Sequence, residues 1–179
     1  MVLLAGAAVG SARWEPVSVV TLGGSRSVCQ MPVTIEVRGM WKATPPHTRP
    51  SRLGFDALCA LTLKEGKREV TLTVDADRKR SDDPRTSLSL HEGTYLANYG
   101  EYMRGGRMKA TTAAGRPAEE MRYRLDPGGV PDIRVHKIAV MAPEGTIVLD
   151  VSSYCSGCEG YARRVYEEVR ASMRVRGVD

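Results

Sequence analysis

The chain has 179 residues, with 26 basic against 21 acidic side chains and a net charge of +5. That length fits one domain able to bury roughly two thirds of its unfolded surface without disulfides or metal. An apolar share of 42% excludes a disordered chain. No apolar run approaches the ~18 residues of a spanning helix. The basic residues interleave with acidic ones around Lys64 to Glu69 and Asp77 to Asp83, so nucleic acid is not an expected partner, whereas a protein or peptide is.

Residues 2–9 form a short apolar run followed by Gly10, Ser11 and Ala12, small residues of the kind signal peptidase accepts. No basic n-region precedes them. Residues 1–30 therefore read as a strand or ordered arm, with a remnant targeting segment or a start upstream of Met31 as alternatives. Residues 17–22 and 33–37 are rich in β-branched side chains and read as strands. Three prolines between Thr44 and Pro50 make that segment a loop. Residues 53–63 suit either a strand or a short helix, and residues 69–75 alternate cleanly as a strand.

Asp83, Thr86 or Ser87 can cap a helix over residues 88–103, on which Leu88, His91, Tyr95 and Tyr99 share one face and which Gly105-Gly106 ends. A loop at 113–117 precedes a strand over 121–125, which Asp126-Pro127-Gly128-Gly129 stops. Residues 135–141 and 146–151 make a β-hairpin around a four-residue loop. The last helix follows, with Ser156 and Glu159 as a capping box and Ala162, Val165, Tyr166, Val169 and Met173 as its apolar stripe. The expected fold is α+β, a mixed and mostly antiparallel sheet with one central and one C-terminal helix. Its core is expected to hold Val70, Leu72, Val74, Ile138, Val140, Ile147 and Leu149.

Two constellations can carry chemistry. Cys155-Ser156-Gly157-Cys158 lies between a strand and the N-terminus of the last helix, whose dipole favours thiolate. It is a candidate thiol pair, within disulfide reach or sharing a metal. Cys59 reads as a buried hydrophobe, and a reducing, cytoplasmic compartment is favoured, with secretion the alternative if residues 1–12 are a truncated signal peptide. The second constellation is His91-Glu92-Gly93-Thr94-Tyr95-Leu96-Ala97-Asn98-Tyr99-Gly100-Glu101.

That second segment resembles the active-site helix of the zincin and metzincin metallopeptidases, H-E-x-x-H-x-x-G-x-x-H. The resemblance covers about a tenth of the chain. It implies zinc held by His91, Tyr95 and Glu101, with Glu92 as general base. Tyr95 stands where the family has its second His, so the implied protein is a zincin-like metalloprotein, a degenerate metallopeptidase that no longer cleaves. The alternative is a non-catalytic structural or protein-interaction module, with His91 and the tyrosines facing inward and Glu92 and Glu101 solvated. A further alternative is a zinc-dependent deaminase-like or thiol-redox protein using Cys155 and Cys158.

Overall fold

A computed structural model describes residues 15–24, 27, 29–44, 54–78, 83–126, 128 and 132–176. The most regular alternation in the sequence, that of β4 (Arg68–Asp77), lies at the middle of the sheet. Val70, Leu72 and Val74 point to one face, and Thr73, Asp75 and Asp77 to the other. Beside it run β8 (Gly145–Ser153) and β7 (Ile133–Ala142), joined by the expected hairpin, whose turn is only Pro143-Glu144. β6 (Arg116–Leu125) and β5 (Met103–Ala113) complete that side. On the other side of β4 follow β3 (Phe55–Glu65), β2 (Val33–Ala43) and β1 (Glu15–Leu22). A two-residue β9 (Arg174–Val175) pairs with the start of β2. Neighbouring strands pair antiparallel throughout the described residues, and a lone Gly23–Gln30 bridge is parallel.

The fold is α+β and mostly antiparallel, as expected, but it is organised by the sheet and not by a central helix. α1 (Pro84–Tyr99) packs on one face, across β5 to β8, and α2 (Glu159–Ser172) packs on the other, against β2, β4, β7 and β8. Beneath α2 lies the main apolar cluster, which includes all seven expected core residues together with Ala162, Val165, Tyr166, Val169 and Met173. Beneath α1 lies a smaller cluster around Phe55, Leu88, Met121, Tyr123 and Val148.

Several sequence expectations change. Residues 53–63 resolve to the strand β3. α1 starts a turn earlier than residue 88, because the Asp83 carboxylate accepts from the Arg85 and Thr86 N–H groups and Pro84 needs no donor there. It ends at Tyr99 in a short 3-10 turn, Gly100–Tyr102. Gly105 and Gly106 do not stop a helix. They sit in a bulge of β5 with φ of 88° and 89°, and a Cβ on Gly106 would meet the Met103 Sδ at 2.8 Å. The Ser156–Glu159 capping box is absent: the N-cap is Cys158, with no side-chain cap. Residues 1–14 and most of the proline loop lie outside the described residues.

Disulfides join Cys29 to Cys59 and Cys155 to Cys158, with Cα–Cα distances of 5.2 and 5.5 Å. Cys59 is thus buried as expected, but as half of a cross-link between β3 and the segment leading into β2. Paired cysteines argue against the favoured reducing compartment.

Candidate functional site

α1 contacts the sheet through Pro84, Ser87, Leu88, His91 and Glu92, all buried. These positions, at i, i+3, i+4, i+7 and i+8, have the ordinary spacing of a buried helical face. Their chemistry is not ordinary, since three of the five are polar. Each meets a polar partner on the strands below. Ser87 Oγ donates to Asp77 Oδ2 at 2.7 Å. His91 Nε2 donates to Asp75 Oδ2 at 3.0 Å, and its Nδ1 lies 3.6 Å from Glu92 Oε1. Glu92 pairs with the Lys137 ammonium, which also lies 3.1 Å from Asp150 Oδ2. Ser152 donates to Asp150 in turn. The Phe55 ring meets His91 edge-on at 4.9 Å, and the Tyr123 ring lies 5.7 Å from the Lys137 ammonium.

Sheet register builds this network. Lys137 and Asp150 are direct cross-strand partners on β7 and β8, and Thr73 of β4 is opposite Asp150 on its other side. With three central strands turning polar side chains to the same face, α1 must supply counter-charges to cover them. Burial pushes the Glu92 carboxyl up. The hydrogen bond from His91 and the Lys137 charge outweigh it and hold the group below the ordinary carboxylate range.

Of the zincin motif, His91 and Glu92 are buried against the sheet, whereas Glu101 is exposed. Both ring nitrogens of His91 face carboxylates, so neither is directed at an open coordination position. Glu92 has a fully buried side chain bound to Lys137 and does not reach a solvent cleft, as a general base must. It is also not on a solvated side. Glu101 lies past the helix on the exposed 3-10 turn, and the Tyr95 side chain lies outside the described residues. Among the described residues, no three His, Cys, Asp or Glu are placed to hold a metal ion. Lys137, Asp75 and Asp150 escaped sequence reading because alternation marks the apolar face of a strand and does not show what covers the other face. The available signal was the set of Asp and Lys side chains recurring on three neighbouring strands.

The outward face of α1 reverses the usual pattern. Leu90 and Leu96 are 49% and 43% exposed, and Ser89, Gly93 and Ala97 beside them are uncharged. On the other side of the molecule, an open groove of about 450 Å³ runs between the outer strands and the end of α2. It is lined by Thr34, Glu36, Arg38, Glu168, Ser172 and Arg174. Ser172 Oγ accepts from the Glu36 N–H at 3.0 Å and so closes part of the β2 edge.

Residues 5–159 match the model of a family described as uncharacterised lipoprotein. The chain belongs to that family. No curated protein matches its sequence. In fold, this lipoprotein-family chain is similar to cyanobacterial PsbP (CyanoP) from Synechocystis sp. PCC 6803, with a TM-score of 0.60, 13% identity and coverage of 97% of this chain and 98% of that one. It is also similar to LpqN, involved in cell envelope biogenesis of Mycobacterium tuberculosis, with a TM-score of 0.53, 15% identity and coverage of 88% and 90%. A Pseudomonas aeruginosa protein of unknown function, described as a putative regulator, gives 0.51, 10% identity and coverage of 90% and 100%. At these identities the likeness concerns the fold alone. The family, the fold and the geometry together overturn the expectation of a zincin-like metallopeptidase: Lys137 and the strand carboxylates occupy the chemistry of His91 and Glu92.

Proposed function

We propose that the chain is a non-catalytic structural or protein-interaction module working in the cell envelope. The observation that carries this reading is the commitment of His91 and Glu92, the residues best suited to catalysis, to a buried ion-pair network that fastens α1 to the sheet. Membership of a lipoprotein family and the likeness in fold to an envelope-biogenesis protein support the location. Two disulfides support an oxidising compartment.

The groove beside α2 suits an interaction role. It presents Arg38 and Arg174 among Glu36 and Glu168, a mixed lining that favours a polar peptide segment over an apolar ligand. The test is made in cells. A photoreactive residue replacing Arg38 should give a discrete protein adduct in the envelope fraction, and one replacing Glu144 on the hairpin turn should not. Rapid acid quenching followed by alkylation should find no free thiol at Cys29 or Cys59. Free Cys29 and Cys59 thiols on a cytoplasmic protein, or equal labelling from both positions, would overturn the proposal.

A further inference from the structure

The two disulfides sit in different surroundings. Cys29 and Cys59 are both buried, under the apolar cluster between α2 and the sheet. Cys155 is only half-buried and lies in an exposed turn. Tyr154 before it is 53% exposed, and Ser156 and Gly157 after it are exposed, with Gly157 at φ 78°. Its Sγ lies 3.5 Å from the Glu69 carbonyl, near the start of β4. Cys158 is buried and is itself the N-cap of α2, a helix of 14 residues. No side chain caps that terminus, so first-turn N–H groups remain to receive negative charge. Glu159 adds an opposing charge there, and the Arg134 guanidinium, 3.5 Å from its carboxylate, offsets it.

We infer that Cys155–Cys158 is an exchange-reactive disulfide that accepts electrons from a protein dithiol, with Cys155 as the sulfur attacked and Cys158 as the leaving sulfur. Thiol–disulfide exchange is fast when the attacked sulfur is accessible and the departing thiolate is stabilised. This turn separates those two requirements between its two cysteines. A partner thiolate bonds to Cys155 Sγ, the Cys155–Cys158 bond breaks, and its electron pair goes to Cys158 Sγ at the helix N-terminus. Cys158 then takes up the proton that the partner thiol gave up. The second partner thiol, as thiolate, attacks its own sulfur in the mixed disulfide, and Cys155 departs and is protonated. The partner is oxidised by two electrons and the Cys155–Cys158 pair is reduced. Exposed Tyr154 gives an extended thiol-bearing segment an aromatic surface beside the attacked sulfur. The inference goes beyond an interaction role and does not depend on the compartment, since its test is made on purified protein.

The test is the initial rate of reduction by glutathione at neutral pH, with each disulfide followed by differential alkylation and peptide mass mapping. Cys155–Cys158 should open at least tenfold faster than the disulfide of a free peptide spanning residues 152–160, while Cys29–Cys59 stays closed. C158S should form a mixed disulfide through Cys155 with a cysteine peptide supplied as its symmetrical disulfide, one peptide thiol leaving, and C155S should form at least tenfold less, its remaining sulfur being buried. An intact Cys29–Cys59 bond and an unchanged circular dichroism spectrum verify that each variant is folded. The inference is overturned if Cys155–Cys158 opens no faster than the free peptide, if both disulfides open together only on unfolding, or if C155S and C158S trap the peptide equally. Should a serine variant fail to fold, the wild-type rate comparison alone decides.

Discussion

The two helices cover the same sheet from opposite sides by opposite means. α2 buries Tyr161, Ala162, Val165, Tyr166 and Val169 on an apolar strand face and turns Arg163, Arg164 and Glu167 outward, the ordinary amphipathic arrangement. α1 buries Ser87, His91 and Glu92 on Asp77, Asp75 and Lys137 and leaves Leu90 and Leu96 in solvent. Burial under α2 is non-directional and tolerates changes of shape. Attachment under α1 relies on directional charge pairs whose value depends on every member being present. Position in a helical repeat therefore predicts which residues are buried, and not what kind of contact buries them.

The contrast breaks most sharply at Lys137. Lys137→Met conserves length but leaves Glu92 and Asp150 buried without their cation, and should cost about 3–5 kcal/mol in urea unfolding. Ile147→Ala, under α2, removes apolar volume only and should cost about 3 kcal/mol. A loss below about half a kcal/mol there would show that Ile147 is exposed and the β7–β8 hairpin misassigned.

Acidification should act on both sides in sequence. His136, stacked on Tyr166 beneath α2, has its pKa lowered by burial and by the Arg122 charge. Its contribution is complete above the unfolded value of about 6.5 and is lost as pH falls from there through the folded value. Glu92, whose folded pKa is depressed, keeps its contribution above the unfolded value of about 4.3 and loses it as pH falls through the lower folded one. Unfolding free energy measured from pH 8 to 3 should thus decline in two stages. His136→Gln should remove the first stage and leave the second.

Smaller effects sharpen the comparison. Asp83→Ala removes the α1 N-cap and should cost about 1 kcal/mol by thermal unfolding. Leu90→Ser changes an exposed outer position and should stay within about half a kcal/mol. A larger loss would mean that Leu90 is packed within the folded chain and not exposed on the outer face of α1.

The fold was legible where alternation or helical spacing coincided with apolar chemistry. β4, the β7–β8 hairpin and the stripe of α2 follow directly from Val70, Leu72, Val74, Ile138, Val140 and Val165. β5 was missed because Gly105 and Gly106 suggest a stop, whereas a sheet edge accommodates them as a bulge. The α1 site was half legible. Periodicity put His91 on the inner face, but His-Glu adjacency suggested metal chemistry, when the partners were Asp75 and Lys137, 16 and 45 residues away from His91 and Glu92. No local pattern encodes such partners; they are set by which strands the topology places together. The cysteines were legible as a pair at 155 and 158, where proximity in sequence guarantees reach. The Cys29–Cys59 pairing depends on how β2 and β3 are brought together. Its loop of about 31 residues should stabilise the fold by about 4 kcal/mol, against about 2 for the short one. The larger share of disulfide stabilisation thus falls on the pair that sequence reading left unassigned.

If Glu92 and Lys137 together fasten α1 to the sheet, a double-mutant cycle with Glu92→Leu and Lys137→Met, read by urea unfolding at pH 7, must show coupling between them. Each single variant should lose about 3–5 kcal/mol, and the double variant should fall short of the summed losses by at least about 2 kcal/mol, because it leaves no unmatched charge between these two positions. Losses that add to within about half a kcal/mol, or single variants as stable as the wild type, would show that the two side chains do not fasten α1.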